Sequence, residues 1–489
     1  MSSKVLVFDF GASSARAMLV SYENSKFKLT EVHRFENIPI HKDSGIYWDI
    51  DYLFSEVKSS LSIAAFMGGF DAVSIDTWGV DFGLINTDGT LIENPHHYRD
   101  ERTFGIPEKL KKHINDYELF VKTGVQPMRI NTIYQLLSLK YNDINDLFKA
   151  ERILLMPDLF AYMLTGEIRS EYTMASTTQL IDPNMHDWNY DFIEQLELPS
   201  RLFPKMIFPG EKYGTVKQEL VSELNIPQVP VIAVAGHDTA SAVVSVPCEY
   251  NDFLFISCGT WTLFGTEISK PILTRKAYLS GFTNEGGINK TTTFLKNIMG
   301  LWLIQESRRY YALNNKKYSY SELESFASKC DSFKCFINPN DDLFSTPDDM
   351  PLKIQQYCKD TNQFIPKTIG EIMRCIYDSL SMEFLRSYEN ISEITGKNYR
   401  FIHMIGGGTK DALLCQSTAN ALGIPVFAGP TEATAIGNAI CSLISLGEMK
   451  DITDARKSLE QSDMIKKYVP QNTEIWALKY NDYLEVNGF

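Results

Sequence analysis

Several short stretches of this 489-residue chain bring carboxylates, hydroxyls and glycines together at spacings suited to phosphate chemistry. The first is "VLVFDFGASSARAMLV", residues 5 to 20, in which β-forming residues run into Asp9, a glycine, Ser13, Ser14 and Arg16 before apolar residues resume. A phosphate-binding turn needs backbone N–H groups aimed into a concavity, with glycine where the chain bends sharply. Hydroxyl and guanidinium groups add donors. A carboxylate at the strand end can hold Mg²⁺ through its water shell, since that ion keeps several waters and takes one or two carboxylates. Taken alone, the same stretch reads equally as a plain β-hairpin, for which D-x-G is an ordinary turn. A second stretch, "AGHDTASAVV" (235 to 244), puts Asp238 where an apolar strand ends and a helix begins. An aspartate there can accept the proton of a substrate hydroxyl while a phosphoryl group transfers in line, and His237 beside it can hydrogen-bond a sugar. An N-cap role for Asp238 is the competing reading.

The opening pattern recurs in "FLFISCGTWTLFGTEI" (253 to 268), with an apolar strand, Gly259, the hydroxyl of Thr260 and a second strand. The two copies lie about half the chain apart and read as a weak internal repeat, each starting one half of the protein. Residues 1–245 are expected to form the first domain and 246–489 the second, with the second fold beginning near Asn251.

Around these stretches, runs at 4–10, 15–21 and 27–35 predict an antiparallel meander, followed by a helix from Ile50 to Phe66. "DAVSIDTWGVDFGLIN" reads as a buried strand carrying Asp76, Trp78 and Asp81, and carboxylates there must pair internally or face a polar ligand. Residues 116 to 166 read as helices, including "INDLFKAERILLMPDLFAYMLTG" with its stop at Gly166. "LKNIMGLWLIQE" reads as an amphipathic helix with Asn297 and Gln305 near one face. "HYRDERT" reads as a salt-bridged surface turn. Later come "HMIGGGTKDALLCQSTANALGIPV", a strand, a triple-glycine turn and a helix, and "AGPTEATAIGNAICSLISLGEM", a helix capped by Thr431 and ending at Gly447. Strands feeding helices through glycine turns in both halves predict an α/β architecture with a cleft between two domains.

Composition narrows the field. The chain is 44% hydrophobic, enough for a large core. Its net charge of −14 argues against a general nucleic-acid surface. No run approaches the length of a membrane span, and "MSSKVLVFDF" lacks the features of a signal peptide, so a cytoplasmic protein is expected. The eight cysteines form no CxxC metal pattern. Cys358 and Cys375 can pair if their segments fold back, or remain free thiols in a reducing compartment. "DFG" comes without the lysine and HRD motifs of protein kinases, and there is no Walker A loop.

Together, "DFGASSAR", "SCGTWTL", "GGGTKDALLCQSTANALGIPV", "IDTWGVDF", "YRDERT", "GHDTASAV", "TNEGG", "LKNIMGLWL" and "GPTEATAIGN" resemble the FGGY carbohydrate kinases, from residue 4 to about 445. That resemblance implies two ribonuclease-H-like domains of the actin- and hexokinase-like ATPase type, with the catalytic cleft between them. It implies ATP and Mg²⁺ as cofactors and a ketose as acceptor, L-rhamnulose phosphorylated at O1, with L-fuculose or L-xylulose as the alternatives. A non-catalytic sugar or nucleotide sensor is the rival from another class, and it needs neither Asp238 nor a sugar pocket. No nucleic-acid or membrane partner is implied. Carried onto matching positions, Asp238 is the catalytic base, and Gly79, His237, Thr239 and Asn297 contact the ketose. Ala12, Ser13, Ser14, Arg16, Thr260, Gln305 and Gly407 contact ATP, and Asp9 lies near the magnesium. The sequence departs from the family at Ala15, where glycine is usual, and at Cys258, where serine is common. Some family members carry a disulfide at the positions of Cys358 and Cys375.

Overall fold

The meander forms as its alternation demands: strands Lys4–Phe10, Ser14–Glu23 and Lys26–Glu36 are antiparallel neighbours. This computed structural model describes residues 2–142, 144–248 and 252–489, so the expected start of the second half at Asn251 lies outside the described residues. The first sheet has six strands in the order Lys212–Thr215, Pro230–Ile232, Ala72–Thr77, Lys4–Phe10, Ser14–Glu23, Lys26–Glu36. Lys4–Phe10, Ala72–Thr77 and Pro230–Ile232 run parallel, and the edge strand Lys212–Thr215 is antiparallel.

Side chains alternate across this sheet. Leu6, Phe8, Phe10, Val73 and Ile75 join a buried core with Leu53, Val57 and Leu61 of helix Ile50–Phe66 and Leu159 and Phe160 of helix Met156–Thr165. The rings of Phe10 and Phe160 stack at 4.6 Å. The other face is covered by helix Ala433–Ser445, which lies over Lys4–Phe10 and Ala72–Thr77.

The compact units therefore do not divide the chain at one point. The first comprises Met1–Glu249, Glu267–Phe294 and Ala433–Gln461, and the second Tyr250–Thr266, Leu295–Glu432 and Ser462–Phe489. Helix Ala433–Ser445 belongs to the first unit, and Gly437 is where it meets helix Asp238–Val244. A Cβ there would lie 1.7 Å from the Ser241 carbonyl oxygen, so only glycine lets helix Ala433–Ser445 approach helix Asp238–Val244 so closely.

The second unit repeats the plan. Leu254–Cys258 and Thr262–Ile268 form an antiparallel hairpin, Leu254–Cys258 runs parallel to Ile402–Ile405, and Ile402–Ile405 runs parallel to Val426–Ala428. Lys466–Tyr468 closes the edge antiparallel, as Lys212–Thr215 does in the first sheet. The repeat read from two hairpins is thus a repeat of sheet topology.

Three local expectations are corrected. The single strand expected over "DAVSIDTWGVDFGLIN" is two, Ala72–Thr77 and Phe82–Ile85, broken by a turn in which Val80 has φ 70°. The helical reading of 144–166 is interrupted by strand Arg152–Leu155, whose aliphatic run pairs with Phe82–Ile85; Pro157, in the first turn, starts the helix Met156–Thr165 afresh. "LKNIMGLWLIQE" is the end of strand Thr292–Ile298, a turn at Gly300 and the start of helix Trp302–Leu313. A Cβ on Gly300 would fall 1.8 Å from Thr262 Oγ1, so the chain turns there against the second hairpin. Asn297 and Gln305 therefore share no helix face.

Replacing Gly437 by alanine forces a methyl group into the Ser241 backbone. Overpacking of this kind costs about 1–3 kcal/mol, so the thermal midpoint of Gly437→Ala should fall measurably below that of the parent. An unchanged midpoint would refute the close helix contact.

Candidate active site

In the first unit, register brings two carboxylates together. Asp9 and Asp76 are partners on adjacent parallel strands, and Asp9 also faces Arg16 across the hairpin. Arg16 Nη2 donates to Asp9 Oδ2 at 2.5 Å. Asp76 is fully buried on the face covered by helix Ala433–Ser445, where Asn438 Nδ2 donates to its Oδ2 at 2.6 Å and Ser74 donates to Asn438 Oδ1. Ser74 and Asp76 are two residues apart on a strand, so one amide side chain reaches both. Asp76 Oδ1 is buried with no hydrogen-bond partner. Burial, then the Asp9 charge, pushes the Asp76 carboxyl well above the ordinary aspartate range.

The turn after strand Pro230–Ile232 carries His237 and Asp238. The Thr77 N–H donates to the Gly236 carbonyl at 2.8 Å, tying this turn to the end of Ala72–Thr77. Glu171 holds the turn from behind, accepting from the Gly236 N–H at 2.9 Å, the Thr173 hydroxyl at 2.6 Å and the Met174 N–H at 2.9 Å. Burial pushes Glu171 up to about 7 despite these donors. His237 occupies the N-cap of helix Asp238–Val244 without a side-chain cap bond, and Asp238 opens the first turn. Asp238 Oδ1 accepts from the Thr239 N–H at 2.6 Å and the Thr239 hydroxyl at 3.2 Å, while a third of its side chain (33%) stays exposed. Its proton affinity is raised by burial; the His237 charge opposes this and the Asp9 charge adds to it.

His237 sits between two carboxylates, with Nε2 3.4 Å from Asp238 Oδ1 and Nδ1 3.2 Å from Glu285 Oε2. Burial disfavours the imidazolium, but Glu285 and then Asp238 outweigh it, so the group titrates above the ordinary histidine range.

Gly79 lies against this pair: a Cβ there would come within 3.3 Å of Thr177 Oγ1 and 3.4 Å of His237 Nε2. Its neighbour Val80, a β-branched residue in the left-handed region, is held by the Thr177 hydroxyl on its N–H (3.2 Å) and by the Thr132 hydroxyl on its carbonyl (2.6 Å). Asp81 anchors the turn. It accepts from the indoles of Trp48 (2.7 Å) and Trp78 (3.0 Å), the Tyr98 N–H (3.1 Å) and Gln135 (2.9 Å). Burial still pushes it up to about 6. Of the carboxylates on this stretch, Asp81 pairs internally, whereas Asp76 keeps one oxygen unpartnered.

The first hairpin loop, Gly11 to Ser13, closes with the Gly11 N–H on the Ser14 carbonyl at 3.0 Å, and Asn37 Nδ2 donates to the Gly11 carbonyl at 3.1 Å. Ser13 is exposed, and Ala12, Ser14 and Arg16 are half-buried. Ala15, where the family favours glycine, is fully buried in the core as an ordinary strand residue paired with Phe10 and Phe35. No positive φ arises there, so alanine fits.

In the second unit, Thr260 is exposed at the tip of the other hairpin. Its carbonyl accepts from the Trp302 N–H at 3.0 Å, which docks the start of helix Trp302–Leu313, and Gln305 with it, on that loop. Gly407 is exposed in the triple-glycine turn, with no atom within 4 Å of where a Cβ would stand. Gly408 next to it would place a Cβ 2.3 Å from Cys258 Sγ. Hairpin, helix start and glycine turn thus converge. Asn297 stands half-buried on strand Thr292–Ile298. Cys258 is buried, and burial pushes its thiol up to about 12, so it offers no anion to repel a phosphate.

Sequence reasoning gave no role to Glu285, Glu171 or Asn438. Glu285 stands in "TNEGG", 48 positions beyond His237, and no local pattern signals that the two meet.

Residues 4–245 match the N-terminal domain and 254–446 the C-terminal domain of the FGGY family of carbohydrate kinases. The chain belongs to that family: it is a carbohydrate kinase with the two-domain FGGY fold, and ATP is the phosphoryl donor the family implies. It is 40% identical over 481 residues to the rhamnulokinase of Bacteroides thetaiotaomicron, covering 98% of each chain. It is 42% identical over 471 residues to the rhamnulokinase of Halalkalibacterium halodurans, covering 96% of this chain and 99% of that one. Among solved structures, the ligand-bound xylulose kinase of Lactobacillus acidophilus superposes with a TM-score of 0.81 at 16% identity, covering 99% of this chain and 97% of that one. The Plasmodium falciparum glycerol kinase with ADP gives 0.78 at 14% identity, with the same coverage. Among the described residues, no helix is long and apolar enough to cross a membrane.

Replacing Glu285 by glutamine removes the carboxylate that most raises the proton affinity of His237. Burial then dominates, and the imidazole titration followed by NMR should move to lower pH. An unshifted or raised value would show that Glu285 does not govern His237.

Proposed function

We propose that this chain transfers the γ-phosphoryl group of ATP to O1 of L-rhamnulose, with Asp238 as the base. The observation that carries this reading is the environment of Asp238. It is partly open, stands at the first turn of a helix beside His237, and has a raised proton affinity. Phosphoryl transfer runs through a loose transition state, so the base chiefly orients the hydroxyl and accepts its proton late. A carboxylate of raised proton affinity suits that role. In this reading His237, Thr239, Gly79 and Asn297 hold the ketose. The full-length likeness to rhamnulokinases favours L-rhamnulose over L-fuculose or L-xylulose.

Ala12, Ser13, Ser14, Arg16, Thr260, Gln305 and Gly407 are proposed to contact ATP. The donor set beside Asp9 suits a hard cation: Asp9 is a carboxylate, and the neighbouring Asp76 keeps a buried oxygen without a partner. Asp9 would hold Mg²⁺ through water, and the ion would supply charge neutralisation at the phosphates. Arg16 Nη2 donates to Asp9 Oδ2 and orients that carboxylate. His237, held by Glu285, fixes Asp238 from one side while Thr239 fixes it from the other.

An ADP-release assay with Mg-ATP against a panel of ketoses tests the assignment. L-rhamnulose should give the highest kcat/KM, and equal or better turnover of L-fuculose or L-xylulose would remove the substrate. Asp238→Asn should lower transfer by about 10²–10⁴-fold with nucleotide affinity nearly intact, and full activity in that variant would remove the base.

The pH profile follows from the sign of the shift. The base works above the folded pKa of Asp238 and is lost as pH falls through it. Because that pKa is raised, the acid limb of kcat/KM should lie above the ordinary aspartate value of 3.8. A limb at or below that value would contradict the assignment.

A further inference from the structure

Cys335, Cys358 and Cys375 come from three separate segments of the second unit, yet their sulfur atoms all lie within 4.8 Å of one another, and all three residues are buried. We infer that these three thiols form a binding site for one soft divalent cation of the zinc and cadmium class, apart from the residues that handle sugar and nucleotide.

The framework holds the sulfurs in place. Cys358 lies near the end of helix Met350–Asp360 and Cys375 in the second turn of helix Ile369–Thr395. Cys335 follows the turn at Asp331 to Lys334, whose two end residues are exposed. The backbone on either side of Cys335 is clamped. The Phe333 N–H donates to Asp378 Oδ2 at 2.7 Å, the Phe336 N–H to Gln363 Oε1 at 2.7 Å, and the Ile337 N–H to Ser379 Oγ at 2.9 Å. Gln363 returns a bond from Nε2 to the Phe336 carbonyl at 2.7 Å. Asp378 and Ser379 belong to the same helix as Cys375, so ligand and clamp move together. Such outer contacts fix the geometry of a metal site.

Thiolates select soft cations over Mg²⁺ or Ca²⁺. Metal–sulfur bonds of about 2.3 Å place sulfurs roughly 4 Å apart, which the cluster meets with little movement. On binding, three S–H bonds break, three metal–sulfur bonds form and three protons pass to solvent. A divalent ion then leaves one net negative charge and a monovalent ion two, and in a buried site the smaller charge is favoured.

The test uses the full chain, kept reduced with a phosphine and titrated with Cd²⁺ alone. The near-ultraviolet cadmium–thiolate absorption should saturate at one equivalent per chain. Cys335→Ser should lose it, and Cys441→Ser, a buried cysteine outside the cluster, should keep it. Cadmium-113 NMR on the parent protein counts the sulfur ligands and decides the matter even where a variant fails to fold. A three-sulfur shift supports the site. A shift for fewer sulfurs, no saturation at one equivalent, or a Cys335→Ser variant that titrates like the parent would overturn it.

Discussion

The first unit must keep three carboxylates, Asp9, Asp76 and Asp238, near enough that the charges of Asp9 and Asp238 raise the proton affinity of Asp76, and that of Asp9 raises Asp238. Each needs its own counterweight, and each has a different one. Arg16 answers Asp9 from across the hairpin, Asn438 answers Asp76 from the covering helix, and His237 answers Asp238 from the preceding residue. The counterweights are themselves supported. Glu285 raises the proton affinity of His237, and Ser74 orients Asn438. Removing Arg16 or His237 would leave a carboxylate without the cationic side chain beside it, and removing Asn438 would leave a second buried oxygen of Asp76 without a donor, each a larger penalty than the loss of a surface pair.

Two sheets of the same topology each present a hairpin with a three-residue loop, but they are built for different work. In the first, the residue before the strand end is Asp9, paired in register with Arg16. At the corresponding place in the second, Ser257 faces Leu263, and the strand end is the neutral thiol of Cys258. The carboxylate and guanidinium belong to one copy only, so charge is concentrated in the first unit. The second is left with backbone, hydroxyl and amide groups around its hairpin. Gly408 packed against Cys258 shows how closely the glycine turn is drawn to that strand.

Much of this was legible locally. The meander, the helix Ile50–Phe66, the turn before Asp238 and the glycine-ended helix Ala412–Leu422 follow from period-2 and period-3.6 patterns and from turn chemistry that acts within a few residues. Where local reading failed, a distant partner had won. "ERILL" sits inside a helical pattern but pairs with Phe82–Ile85, and "LKNIMGLWLIQE" breaks because Gly300 must pass Thr262. The strand through Asp76 to Asp81 breaks because Asp81 collects two indoles, a backbone N–H and Gln135 at once, and Val80 takes the strained conformation this requires.

The sequence by itself determined the two hairpins, the family and the placement of Asp238 at a strand-to-helix turn, because these depend on residues a few positions apart. Tertiary structure alone decided which helix covers the first sheet, which carboxylate steadies His237 and that three cysteines from separate segments meet. Asn438 reaches Asp76 across 362 residues, and no periodicity encodes a contact of that span. It exists because a glycine one residue earlier lets two helices touch, which brings the amide over the strand where both Ser74 and Asp76 meet it.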